Sequence, residues 1–213
     1  MKKDSKFLQV LADYDKRIQS EDNIMKSLPV VEGMKLRDEF LLAVGEDVAV
    51  FMNTLIKSAK SKTILEIGTS YGYSTLWLAE AARENHGIVI TLEANESKVI
   101  YAKHKLNEAG LSEYVDFRVG DALALMKEAK ESFDFVLLDI WKDLYLPCFE
   151  LFYPKLKNKA WVVADNMIFP QQSIEETKRY QNRIRNTGDF SSVLLPIGSG
   201  MELSQYEQIK KVL

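Results

Sequence analysis

The stretch Ile64-Leu65-Glu66-Ile67-Gly68-Thr69-Ser70-Tyr71-Gly72-Tyr73-Ser74-Thr75 limits what this chain can fold into more than any other. It opens as a short apolar run after Lys60, Ser61 and Lys62, the pattern of a strand buried in a parallel sheet. Two glycines end the run, and a helical pattern follows through Leu76, Leu78 and Ala79. Strand, glycine turn and helix, in that order, open the nucleotide-binding unit of a doubly wound α/β fold. The glycine spacing then separates two kinds of ligand. A dinucleotide fold uses G-x-G-x-x-G, so that helix-end amides face a pyrophosphate. Here the pattern is Glu66-x-Gly68-x-x-x-Gly72. An acid two residues before the first glycine is a poor neighbour for phosphate and suits a ligand with an amino group and positive charge.

The rest of the chain repeats the alternation. Ile88 to Glu93 reads as a second buried strand, and Val115, Phe117 and Val119 alternate as a third. Phe133 to Leu138 and Trp161 to Ala164 are the fourth and fifth. Helices are expected over Asn95 to Ala109, capped by Asn95 or Ser97 and stopped by Gly110, then over Leu123 to Lys130, Asp143 to Tyr153 and Gln172 to Arg185. Ser192 to Ile197 and Met201 to Gln205 flank Gly198-Ser199-Gly200 as a β-hairpin. Ahead of the sheet, Phe7, Leu11, Tyr14 and Ile18 fall at helical spacing. A break at Leu28 to Met34, a short helix from Leu36 to Leu42 and an apolar helix through Val48, Phe51, Met52, Leu55 and Ile56 follow. The expected fold is α/β: a doubly wound, Rossmann-like, mostly parallel sheet closed by a C-terminal β-hairpin, with N-terminal helices. With 213 residues, the chain is expected to form one domain over 1–213, a helical region 1–60 leading a core 61–205.

Composition removes several function classes. The net charge of −3 gives no global basic field for nucleic acid. Met1 to Asp15 carries charges throughout, so no signal peptide is expected, and no stretch is long and uncharged enough to span a membrane. The single cysteine, Cys148, sits in an apolar run and reads as core, which suits a reducing, cytoplasmic setting.

In a doubly wound sheet, ligands sit beyond the carboxyl ends of the strands. The residues expected there are Glu66 and Gly68, Glu93, Asp121, Asp139, and Asp165 with Asn166. Glu93 after the second strand has the placement of an acid that holds ribose hydroxyls. Asp139 and Asp165-Asn166 follow the fourth and fifth strands, which adjacency in a parallel sheet brings within reach of each other. Two carboxylates and an amide oxygen make a hard, all-oxygen set that suits Mg²⁺, Mn²⁺ or Ca²⁺ over zinc. His86 and His104 read as surface residues. Lys178, Arg179, Arg183 and Arg185 fall on one helix, a solvated face or a contact for phosphate.

The opening motif resembles the first motif of class I methyltransferases that use S-adenosylmethionine (SAM). Leu138-Asp139-Ile140-Trp141-Lys142-Asp143-Leu144-Tyr145-Leu146-Pro147 and Ala164-Asp165-Asn166-Met167-Ile168-Phe169-Pro170 are similar to the catechol and caffeoyl-CoA O-methyltransferase family, in its bacterial branch. The resemblance runs from about Gly45 to Ser204. It implies a divalent metal on Asp139, Asp165 and Asn166, Lys142 as general base, and Asp139 and Lys142 as the catalytic pair. It implies SAM contacts from Val44, Glu66, Gly68, Ser70, Tyr73, Ser74, Glu93, Ala94, Asp121, Ala122, Asp139 and Trp141. Leu42, Trp141, Lys142, Asn166 and Pro170 would meet a small aromatic acceptor. The chain departs from the animal catechol enzymes at Ile140, where they carry histidine, and at Ser192-Val193-Leu194, which lacks their acid. Three other functions fit parts of the pattern: the same metal chemistry on a hydroxylated tRNA nucleoside, an NAD-dependent oxidoreductase, and a SAM-binding module without catalysis. The first helix is expected either to dock on its own domain or to serve in dimer contacts or in covering the site, so a homodimer is compatible with it.

Overall fold

The computed structural model describes residues 4–29, 32 and 36–208. Its seven strands form one sheet in the order β3-β2-β1-β4-β5-β7-β6. They are β1 (Thr63–Ile67), β2 (Ile88–Glu93), β3 (Val115–Val119), β4 (Phe133–Leu138), β5 (Leu156–Ala164), β6 (Phe190–Leu195) and β7 (Met201–Tyr206). The first five pair in parallel, and β7 and then β6 add to β5 antiparallel. The helices are α1 (Ser5–Ser27), α2 (Glu46–Ala59), α3 (Tyr73–Asn85), α4 (Glu96–Glu108), α5 (Ala122–Glu128), α6 (Tyr145–Phe152) and α7 (Ile174–Arg185). This is the expected doubly wound, mostly parallel α/β architecture with a closing hairpin.

Strand periodicity builds two cores, one on each face of the sheet. Ile64, Phe135, Leu137 and Val163 pack with α1, α2 and α3. The intervening residues Leu65, Ile67, Val136, Leu138 and Val162 pack with α5, α6 and α7. Successive side chains point to opposite faces, so the central strands carry apolar residues on both faces because each face has a helical layer.

The N-terminal helix docks on its own domain. Asp4 caps α1 by accepting from the Lys6 amide at 2.9 Å. Phe7, Val10 and Tyr14 are buried. Phe7 meets Trp77 edge-on at 5.1 Å, and Tyr14 meets Tyr73 at 5.7 Å. Gly72 makes room for this layer: at φ +89 it lies where a Cβ would come within 2.8 Å of the Ala102 Cβ.

Three expectations shift, and a fourth lies largely outside the described residues. No helix spans Leu36 to Leu42; a 3₁₀ turn at Arg37–Glu39 leads into a non-helical run up to Gly45. There the Leu41 amide donates to Glu21 on α1 at 2.6 Å, so a tertiary partner takes a donor that a helix would use. In the break expected at Leu28 to Met34, Val30, Val31, Gly33 and Met34 lie outside the described residues. β5 begins at Leu156, five residues earlier than the apolar pattern suggested, because Lys157, Asn158 and Lys159 are exposed and polar. The helix expected from Asp143 is a 3₁₀ turn, Lys142–Leu144, followed by α6. Pro147 then falls in the first turn of α6, where its missing N–H costs no intrahelical bond. Among the described residues no helix is long and apolar enough to cross a membrane.

Truncating the α1 anchor should expose its energetic weight. Phe7→Ala is expected to destabilise the protein by about 3–5 kcal/mol, the usual cost of removing a fully buried phenyl ring. Urea unfolding checks this.

Candidate active site

The sheet register aligns the site before any side chain is considered. The Gly68 amide donates to the Leu92 carbonyl at 3.0 Å, and the Gly120 amide to Glu93 at 2.9 Å. The Asp139 amide donates to Ile67 at 3.0 Å, and the Asp165 amide to Leu138 at 3.1 Å. Each residue just past a strand is thus pinned to the neighbouring strand's end. Gly68 is the tightest point: at φ +106, a Cβ there would lie 1.9 Å from the Asp139 carbonyl oxygen. Only glycine admits the approach of the β4 end to the first turn.

A cleft of about 410 Å³ opens along this edge. One half is bordered by Gly68, Ser70, Glu93, Ala94, Asp121 and Ala122. The Glu93 carboxylate accepts from the Ser70 amide through Oε2 and from the Asn95 amide through Oε1, each at 2.9 Å. A carboxylate has about four acceptor positions, so both oxygens keep capacity for hydroxyl donors. Asp121 caps α5 by accepting from the Ala124 amide at 2.8 Å. The other half is bordered by Asp139, Trp141, Lys142, Asn166, Pro170 and Leu42. Trp141 is 54% exposed and Leu42 46%, an apolar margin on a polar floor.

Five of the expected residues do not border the cleft. Val44 is buried beside Ala43, which does border it. Tyr73 packs against Tyr14. Glu66 is fully buried, and its carboxylate accepts from the hydroxyls of Ser74, Thr75 and Thr91, each at 2.6 Å. The Ser74 hydroxyl is therefore directed at Glu66, and the acid that the sequence aimed at a ligand's amino group is caged inside the fold. Burial pushes the Glu66 carboxyl up to about 7, against the opposing pull of its three hydroxyl donors. Asp165, the fifth, is 1% exposed.

The second half of the cleft concentrates charge. Lys142 Nζ donates to Asn166 Oδ1 at 2.9 Å, to the Tyr145 hydroxyl at 2.5 Å and to the Ile140 carbonyl at 3.1 Å. It also lies 3.6 Å from Asp139 Oδ1. Tyr145 in turn donates to the Asp165 carbonyl at 2.8 Å, and burial raises its hydroxyl well above 10, so it stays protonated. Asp165 Oδ1 is buried and accepts no hydrogen bond. Burial, and then the Asp139 charge, push the Asp165 carboxyl up to about 7, opposed by the Asn166 amide and Lys142. A buried carboxylate oxygen without a donor is costly unless a cation meets it. With Asp139 and the Asn166 amide oxygen beside it, the set fits a hard divalent ion. No group of three or more His, Cys, Asp or Glu side chains with ligating geometry occurs among the described residues; this set reaches three only through its asparagine.

Tyr145, Phe169, Lys98 and Asp38 lie at or beside the cleft and were not singled out as candidates from the sequence. Tyr145 carried a signal, standing three residues after Lys142 at a helix start. Phe169, 62% exposed, borders the cleft together with Lys98 and Asp38. His86, at the C-cap of α3, and His104, on α4, are exposed. Of the basic cluster on α7, Arg183 pairs with Glu150 at 2.7 Å and Arg185 with Glu202 at 2.7 Å.

A model of the O-methyltransferase family matches residues 9–206. The chain belongs to the O-methyltransferase family. It is 32% identical over 139 residues to the catechol O-methyltransferase of Niastella koreensis, covering 63% of this chain and 62% of that one. It is 30% identical over 161 residues to the catechol O-methyltransferase B of Danio rerio, spanning 59% of that protein's length. Caffeoyl-CoA O-methyltransferase 1 of Zea mays is 30% identical over 184 residues, 76% of this chain and 71% of that one. Among solved structures, the O-methyltransferase from Bacillus cereus in complex with SAH superposes with a TM-score of 0.77 at 24% identity, covering 97% of this chain and 93% of that one. The O-methyltransferase TomG of Streptomyces achromogenes, in complex with SAM, gives 0.75 at 23% identity over 97% and 91%. At such identities the superpositions speak for the fold alone.

The Glu66 cage has a pH signature. The folded protein keeps the Glu66 proton up to about pH 7, whereas the unfolded chain loses it near 4.5. Its contribution to stability is therefore complete below pH 4.5 and declines as pH rises to about 7, by about 3 kcal/mol in all. Urea unfolding of Glu66→Gln across this range should lack that part of the slope.

Proposed function

We propose that the protein moves the methyl group of SAM to a hydroxyl of a small aromatic acceptor, with a divalent cation, Mg²⁺, Mn²⁺ or Ca²⁺, held by Asp139, Asp165 and Asn166. The observation that carries this reading is the donorless, buried Asp165 Oδ1 behind Asp139 and Asn166, which border a cleft whose other half presents Glu93. Family membership and the names of the relatives point the same way. A single buried cysteine, with its thiol pushed up to about 12 by burial, suits a reducing, cytoplasmic compartment.

The residues divide the work. Glu93 receives the ribose hydroxyls on the acceptor positions its two amide donors leave, and Asp121 and Ala122 lie by the adenine. Trp141, Leu42 and Pro170 wall the acceptor ring and keep water from it. When bound, the cation supplies a Lewis acid that favours the ionised acceptor oxygen. Lys142, in its amine form, takes the proton of the acceptor hydroxyl at Nζ. The acceptor oxygen forms its bond to the methyl carbon as the carbon–sulfur bond breaks, leaving a neutral thioether. Alignment of the two reactants in one cleft is the main source of rate, and in the best model reactions such positioning supplies about 7–11 kcal/mol.

Exhaustive chelation should abolish transfer, and Mg²⁺ or Mn²⁺ should restore it. Asp165→Ala should lose metal binding and transfer while retaining SAM. A stripped enzyme that methylates at full rate would remove the metal from this reading. Acceptors with two adjacent oxygens should outpace monophenols, because only they can chelate.

Glu93→Ala should weaken SAM about ten- to a hundred-fold, the loss of a charged acceptor for two hydroxyls. Calorimetric titration of the folded variant is the check.

A further inference from the structure

We infer that Arg17 and Glu21 on α1 are positioning residues for the ligand cleft, although no residue of α1 borders it. The inference rests on the reading of the cleft as a SAM site only for the choice of probe. Glu21 divides its carboxylate: Oε1 pairs with Arg17 Nε at 2.6 Å, and Oε2 accepts from the Leu41 amide at 2.6 Å. Arg17 divides its guanidinium: Nη2 donates to the Glu39 carbonyl at 3.1 Å, and its carbon sits 3.9 Å from the centroid of the Tyr71 ring and 4.9 Å from that of Tyr101. One ion pair on α1 therefore holds two separate stretches, 39–41 and Tyr71. Tyr14, one turn earlier, donates to the Tyr71 carbonyl at 2.7 Å.

Those stretches are the backbone behind one wall of the cleft. Asp38, Leu42 and Ala43 border it from the first, and Ser70 from the second. The two touch where the Ser70 hydroxyl approaches the Leu41 carbonyl at 3.5 Å. Ser70 is also the residue whose amide donates to Glu93. Leu42 stands at φ +47, in the left-handed region that a leucine adopts only when its surroundings hold it there. The segment is not a helix and lacks a helix's internal bonds, so its restraint comes from outside, through the Leu41 amide on one side of the strained residue. Arg17 matches this task by geometry: its planar fork donates to a carbonyl while its face stacks on an aromatic ring, which lysine cannot do. The pair is partly buried, 22% and 15% exposed, so it is screened less than an open surface ion pair.

Removing the pair should lower the fraction of molecules whose wall is set for the ligand, and apparent affinity falls in proportion to that fraction. In Glu21→Ala and Arg17→Lys, hydrogen exchange is expected to quicken in residues 38–43 and 68–72 and to stay unchanged in β5 and α7. Calorimetry at 25 °C with SAH, the product form of SAM, should show binding weakened about tenfold or more in each folded variant, as for a competent fraction reduced to about a tenth. Unchanged exchange in both windows, acceleration spread evenly over the chain, or wild-type SAH affinity in a folded variant would each overturn the inference. If Glu21→Ala fails to fold, Arg17→Lys keeps the charge and the stem, and carries the same expectations. If the wild-type protein itself ignores SAH, the methyl-transfer reading falls, and the exchange comparison alone decides the role of α1.

Discussion

Everything at the site depends on one close approach, the carbonyl of Asp139 against the α-carbon of Gly68. A Cβ at that position would stand 1.9 Å from the carbonyl oxygen. The contact sets how near the end of β4 comes to the first turn, and so places the half with Glu93 and the half with Lys142 in one cleft. The amides of Gly68, Asp139 and Asp165 then lock the three strand ends in register through bonds to Leu92, Ile67 and Leu138. Each bond is an ordinary backbone pair, and the alignment comes from their succession along one edge. A side chain at Gly68 would press the two halves apart and leave each locally intact, which is why this glycine belongs to the site and not to the turn alone.

Two buried acids near that edge meet burial in opposite ways. Glu66 is surrounded by donors, three hydroxyls at 2.6 Å, so either protonation state is satisfied and the group needs no ligand. Asp165 has a bonded backbone but a carboxylate oxygen with no donor. Desolvation raises both to about 7. Only the second has something left to gain from a cation. The contrast explains why residues equally suggestive in sequence differ in chemistry: the first is closed by its neighbours on β2 and α3, the second is left open beside Asp139 and Asn166.

Much of the fold was legible because parallel strands buried on both faces are largely apolar, and β1, β2 and β4 show that pattern apart from Glu66, Thr91 and Asp134. The strand-end acids were legible for a related reason, since a polar residue ending an apolar run stands out. What escaped lay where tertiary contact overrides local pattern. The polar start of β5, Lys157 to Lys159, is exposed and reads as loop, yet it belongs to a nine-residue strand. Leu36 to Leu42 has helical composition, but the Leu41 amide is claimed by Glu21, twenty positions away. Ser74 and Glu66 sit where a motif suggests ligand contacts. Their mutual bond becomes visible only once β1 and α3 pack. Tyr145 stands inside the stretch from Leu138 to Pro147, but its role becomes visible only in the bonds it makes to Lys142 and the Asp165 carbonyl.

The acidic half of the cleft shows why Lys142 and its partners must be considered as one unit. Lys142 Nζ has Asn166, Tyr145 and the Ile140 carbonyl as hydrogen-bond acceptors, with Asp139 close by. Two of those groups belong to the oxygen set that suits a divalent ion. A cation bound there and the lysine ammonium would repel each other across a partly buried site, where charges interact more strongly than in water. Tyr145 limits how the unit can rearrange, because its hydroxyl is anchored by donation to the Asp165 carbonyl and stays protonated. Lys142 is held as closely, since the Ile140 carbonyl, the Tyr145 hydroxyl and Asn166 Oδ1 all accept from its nitrogen. The strand ends therefore fix the oxygens, and the lysine ammonium packed among them is the charge that a cation bound there would have to meet.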